Sequence, residues 1–182
     1  MIAYKAFEPG LICRGYQFVM GLNVTDEANC ARNGFHCAEN PLDCLRYYPD
    51  MDKSEYYIVD CRGDINEDGR DSKIACTELF IIKRLTKEDF FLHGLAYMAD
   101  HPLMKWGSHV TADRAKAKNG FAVVRGVDPI ACGTKGDILA LAKEDPTNGR
   151  ITQIAMTRVD NVIILPGVWY GADLKRKAGD LI

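Results

Sequence analysis

The sequence predicts an α+β fold, and three observations carry that prediction. Short alternating apolar runs bounded by Gly, Pro and Asn fill the first third of the chain. Two segments place apolar residues at helical spacing behind capping residues. Two late alternating runs flank a pentapeptide dense in turn formers. Period-two and period-3.6 patterns in one chain, with turn chemistry between them, are the signature of mixed architecture. At 182 residues and 47% hydrophobic, the chain is long enough for one domain or two small ones and buries a core without staples.

In chain order, Tyr4-Lys5-Ala6-Phe7 alternates and stops at the turn signal Glu8-Pro9-Gly10, and Leu11 to Phe18 predicts a second strand. Asn33-Gly34 predicts a turn ahead of the strand Phe35-His36-Cys37-Ala38. Asn40 before Pro41 reads as a cap followed by a first-turn proline. Leu42, Leu45 and Tyr48 then predict a short helix over 41–48, ended by Pro49. Residues 55–61 predict a buried strand, 62–73 a polar loop and 74–85 another strand. Thr86 caps a helix to about Asp100, with Phe90, Phe91, Leu95, Tyr97 and Met98 on its apolar face. These elements make a short-stranded N-terminal part, 1–103, with two helices.

After His101-Pro102 small residues dominate. Val110, Ala117, Val124 and Ala131 recur at a seven-residue step, as do Ser108, Ala115, Ala122 and Pro129. Two readings stay open for 106–135: degenerate solenoid rungs stacked on small inward residues, or a meandering Gly- and Ala-rich segment. Asp137–Lys143 and Ile151–Val159, joined through Asp145-Pro146-Thr147-Asn148-Gly149, predict a β-hairpin. Asn161–Tyr170 predicts a third strand, with Val162-Ile163-Ile164-Leu165 buried. The mostly β C-terminal part is 104–182, packed with the first as one unit.

Composition narrows the function classes. The start lacks a basic segment followed by an apolar one, and no apolar run approaches a membrane span, so a cytoplasmic protein without a membrane partner is expected. The seven cysteines are odd in number and are expected to be free thiols. The net charge of −2 hides a split: residues 1–100 hold 11 Lys+Arg and 17 Asp+Glu, residues 101–182 hold 12 and 8. The acids Asp50, Asp52, Glu55, Asp64, Glu67, Asp68 and Asp71 form a candidate partner-binding surface for a basic groove. Lys116, Lys118, Lys175, Arg176 and Lys177 are candidate nucleic-acid contacts.

No motif fixes a reaction. Asp64-Ile65-Asn66-Glu67-Asp68-Gly69 begins like a calcium loop, but Ala75 stands where the bidentate Glu belongs, so a solvated acidic loop is expected. Cys30, His36, Cys37 and Cys44 are zinc-ligand types at the wrong spacing. His36 and Cys37, as strand neighbours, point to opposite faces, which argues against a base–nucleophile pair. Arg14, His36, Glu39 and Asn40 are polar residues among strands, either a candidate pocket or turn caps that satisfy backbone groups. No cofactor, metal or catalytic residue is expected from these patterns.

Tyr4-Lys5-Ala6-Phe7, Cys13-Arg14-Gly15-Tyr16-Gln17-Phe18 and Gly34-Phe35-His36-Cys37-Ala38-Glu39-Asn40-Pro41-Leu42-Asp43 with Tyr47-Tyr48 together resemble an uncharacterised family of phages, prophages and gut Firmicutes. Asp71-Ser72-Lys73 fits its pattern, and Lys135–Ala142 and Pro166-Gly167-Val168-Trp169-Tyr170 resemble its usual ending, while the central segment departs from it. The resemblance implies no known reaction. With the length and charge split, it leads to the expectation of a phage-encoded, non-catalytic inhibitor of bacterial defence: a type II anti-CRISPR protein acting in the host cytoplasm. Its expected partner is an RNA-guided Cas nuclease or its guide-RNA complex. Two alternatives stand beside it. One is an enzyme similar to ADP-ribosyltransferases, using Tyr4, Arg14, His36 and Glu39; the other is a structural or assembly module that self-associates.

Overall fold

The computed structural model describes residues 1–29, 33–67, 72–107 and 109–179. Strand accounts for half of the described residues and helix for about an eighth, so the α+β class holds with a strong β bias. The chain divides into two units, Met1–Phe90 and Phe91–Ile182. That division falls earlier than the boundary expected near residue 103.

The N-terminal unit is built on seven strands: β1 (Ile2–Phe7), β2 (Ile12–Cys13), β3 (Tyr16–Gln17), β4 (Gly21–Val24), β5 (Phe35–Ala38), β6 (Glu55–Glu67) and β7 (Lys73–Arg84). β1 pairs with β5 and β6, and β7 pairs with β4, β5 and again β6. The pairing β1–β6–β7–β5–β1 therefore closes on itself as a small antiparallel barrel, with β4 extending it along β7. A barrel of so few strands has no lumen to spare, and side chains fill it. Ala3 and Phe7 of β1, Phe35 and Cys37 of β5, Tyr57, Val59 and Cys61 of β6 and Ile74, Cys76, Leu79 and Ile81 of β7 pack together inside. Alternation supplies this set, since every second side chain of a strand faces the same way.

β7 breaks its alternation once, passing from inward Cys76 to inward Leu79. Level with this break the register with β6 shifts between Arg62 and Ile65, where Gly63 and Asp64 of β6 stand opposite Thr77. Gly63 has φ +69° and a Cβ there would come 2.2 Å from the Thr77 hydroxyl, so the bulge requires glycine. The Asp64 amide donates to that hydroxyl at 2.9 Å.

Three expectations for this unit need correction. The single strand over 11–18 is instead the β2–β3 hairpin, because Arg14 and Gly15 both take positive φ (52° and 79°), the geometry of a two-residue turn. The helix over 41–48 is a six-residue 3-10 helix, Pro41–Arg46, with the Asn40 side chain accepting from the Leu42 amide as its cap. The polar loop over 62–73 is largely strand, because β6 runs on to Glu67 and pairs with β7. Polar residues suit it there, since Arg62–Glu67 are all exposed. The first half of the calcium-like motif is thus extended, with Asn66 opposite Ala75, while Asp68 and Gly69 lie outside the described residues.

The helix α1 (Lys87–Asp100) follows the Thr86 hydroxyl, which accepts from the Asp89 amide at 3.0 Å. In the C-terminal unit the sheet comprises β8 (Val110–Lys116), β9 (Phe121–Cys132), β10 (Ile138–Glu144), β11 (Ile151–Arg158), β12 (Trp169–Gly171) and β13 (Arg176–Lys177). β10 and β11 form the hairpin at the turn-dense pentapeptide, with Leu141 opposite Ala155. β8 and β10 lie parallel to β9, with Val110 opposite Val123, Ala115 opposite Ala131 and Ile138 opposite Phe121, so paired residues are 13, 16 and 17 positions apart and follow no fixed seven-residue step. β11 and β12 join this sheet antiparallel.

The third strand expected over 161–170 shrinks to β12. Val162 and Ile163, expected to be buried, are 80% and 75% exposed. The Asp160 carboxylate explains this, accepting from the amides of Val162, Ile163 and Ile164 and holding them in a turn rather than a ladder.

Candidate functional site

The N-terminal unit contains a cavity of about 680 Å³. Its floor comes from β1 and β5, its walls from the β2–β3 hairpin and the 3-10 helix. Aromatic side chains dominate: Tyr16, Phe18, Phe35, Tyr47 and Tyr48. Phe18 anchors them, its ring centroid 5.1 Å from Phe7, 4.6 Å from Tyr16 and 4.9 Å from Phe35, in edge-to-face contacts that fix the wall. Charged groups line the same space: the cations Lys5, Arg14 and Lys73 outnumber one carboxylate, Asp43, which accepts from the Ser72 hydroxyl at 2.6 Å.

Lys5 is the unusual member. It occupies an inward position of β1 between Ala3 and Phe7 and is only 5% exposed. Its ammonium donates to the His36 carbonyl at 2.6 Å and to the Cys13 sulfur at 3.7 Å. The rings of Phe7 and Phe18 lie 5.2 and 5.1 Å from it. Among the described residues no carboxylate lies within ion-pairing reach of it. A buried ammonium is costly unless something negative answers it. Here a carbonyl, a sulfur and two ring faces answer it in part.

Cys13 is held between Lys5 and Tyr48, whose phenol reaches its sulfur at 3.2 Å. Burial, then the bond to Cys13, pushes the Tyr48 phenol above its ordinary value, so it stays protonated and donates. Cys44, a buried residue of the 3-10 helix that also lines the cavity, is raised to about 12, chiefly by burial, and is an inert thiol.

Of the pocket residues expected from sequence, Arg14 and His36 line the cavity, while Asn40 caps the 3-10 helix and the Glu39 amide bonds the Ser72 carbonyl. Lys5, Cys13, Tyr16 and Tyr48 are the residues that sequence reasoning missed. Lys5 had a signal: in an alternating run whose Ala3 and Phe7 face inward, the residue between them at the same parity does too.

Three of the seven acids of the expected partner-binding surface pair with neighbouring cations. Asp50 pairs with Lys53 at 3.2 Å, Asp52 with Lys87, and Glu55 with Arg84 at 3.0 Å. Asp64 and Glu67 are exposed on β6, and Asp68 and Asp71 lie outside the described residues. In the C-terminal unit Lys116, Lys118, Lys175, Arg176 and Lys177 are all exposed, and Lys177 pairs with Asp173 at 2.9 Å. No described helix is long and apolar enough to cross a membrane.

Among known proteins, residues 1–93 match a family described as Domain of unknown function (DUF7666). Neither the curated proteins nor the solved structures contain a match.

Proposed function

We propose, from the premise that the chain belongs to the DUF7666 family, that its N-terminal unit is a ligand-binding barrel. Its cavity takes a small, flat, anionic molecule, and the protein acts by binding rather than by turnover. One observation carries this reading: the buried Lys5 ammonium, without a carboxylate partner, at the floor of an aromatic-walled cavity. A bound anion supplies the missing charge, and the rings of Tyr16 and Tyr48 supply stacking surfaces for a planar body. Arg14, on its positive-φ turn among the lining residues, supplies a second cation. The buried thiol Cys44 is held protonated, and the one lining carboxylate, Asp43, is engaged by the Ser72 hydroxyl and amide, which is why binding is favoured over catalysis.

Fluorescence titration with anilinonaphthalene sulfonate, a flat aromatic anion, tests this. Saturable one-site binding that falls at least tenfold in Lys5→Met, with the uncharged anilinonaphthalene binding both proteins equally, is the expected result. Binding unchanged by Lys5→Met overturns the reading.

A second reading keeps the expected inhibitor of a bacterial defence nuclease. Beside the expected acidic surface, its support is the apolar strip of Tyr16, Val19, Met20, Leu22 and Val24, 47–59% exposed, leading into β4, which pairs only with β7 among the described strands. An open strand edge beside exposed apolar side chains suits addition of a partner strand. Pull-down against a purified Cas nuclease, with and without guide RNA, tests it, and capture that survives Leu22→Lys together with Val24→Lys retires the strip.

A further inference from the structure

Three cysteines far apart in sequence meet inside the barrel. Cys37 of β5, Cys61 of β6 and Cys76 of β7 are 5%, 1% and 0% exposed, and their sulfurs all lie within 4.8 Å of one another. The strands that carry them are neighbours, since β7 pairs with β5 on one edge and β6 on the other. Phe35 lies opposite Cys76 on β5, which brings Cys37 within two residues of that level. Cys61 lies opposite Leu79, just across the bulge.

From this geometry we infer that Cys37, Cys61 and Cys76 form a three-sulfur site for a soft monovalent cation, copper(I) being the one whose chemistry fits. Sulfur bonds of about 2.3 Å in a trigonal site place the ligands about 4.0 Å apart, a small contraction from what the barrel holds. Thiolates select soft ions such as copper(I). Zinc fits less well, because it requires a fourth ligand. Among the described residues no His, Asp or Glu joins the cluster, whose surroundings are Ala3, Phe7, Val59, Ile74 and Leu79.

One further observation favours a ligand set over three core thiols. The thiols release their protons to solvent as the metal binds, so the site needs a way in from solvent. Cys37 also lines the cavity described above, which provides an entry path to an otherwise closed interior. The inference stands independently of what that cavity binds.

The test is anaerobic transfer of copper(I) from its bicinchoninate complex to the full, reduced chain. One equivalent is expected to transfer, and X-ray absorption is expected to show three sulfurs at about 2.3 Å. Cys61→Ser is expected to weaken uptake at least tenfold, while Cys132→Ser retains it. No transfer, a two-sulfur shell, or a loss in Cys132→Ser equal to that in Cys61→Ser overturns the proposal. The spectrum of the unaltered chain decides even if Cys61→Ser fails to fold.

Discussion

Among the described residues each unit buries one long cation, and the two are treated in opposite ways. In the C-terminal unit Arg125 is 2% exposed, and its guanidinium bonds the Glu144 carboxylate, the Pro102 carbonyl and the Gly149 carbonyl at 3.1 Å. It also lies over the Trp106 ring at 4.9 Å. Lys5 has one carbonyl, one sulfur and two phenyl faces. A planar fork answered by a carboxylate and two carbonyls is a clamp. An ammonium facing a cavity without a counter-charge is a group kept at a cost to stability, which is how binding sites differ from scaffolds.

Four measurements would break or sharpen that contrast. Arg125→Ala strands the Glu144 carboxylate, 18% exposed, and is expected to cost about 3–5 kcal/mol in denaturant melts. Lys5→Met is expected to do the reverse, holding or raising stability by about 1 kcal/mol while abolishing anion binding. A loss like that of Arg125→Ala would make Lys5 a clamp too. Alkaline melts probe the buried Cys44 thiol in the cavity wall. The folded chain keeps the Cys44 proton up to about 12 against an ordinary 9.0, so unfolding releases it and stability falls as pH rises from 9.0 toward 12. Tyr56, raised chiefly by burial, adds to the same fall, and Cys44→Ala is expected to lessen the slope without removing it. The smallest effect is that of Tyr48→Phe, which removes the donor to Cys13 and is expected to cost about 1 kcal/mol or less by thermal melt.

How much of this was legible in the sequence depended on whether the deciding interaction was local. The Asn40 and Thr86 caps and the turn at Asp145–Gly149 act within a few residues, and the structure places elements there. The strand expected at 162–165 failed because one carboxylate, Asp160, competes for the amides a ladder would need. The polar run after Arg62 suggested a loop because nothing local reveals that its partner is β7. The cavity was half visible, through Arg14 and His36, because they are polar among apolar neighbours. The three-thiol cluster was invisible, because its members share only strand parity, and spacing carries no trace of which strands become neighbours.

The extra residue beside Gly63 sets more than a local kink. It lies on β6, so that strand keeps its partner β7 on both sides of the irregularity while its own alternation slips by one position. Deleting Gly63 would leave Asp64 alone opposite Thr77 and restore strict alternation along β6. The irregularity falls where β6 passes from a packed stretch, Tyr56 to Cys61, to one whose side chains all meet solvent, Arg62 to Glu67.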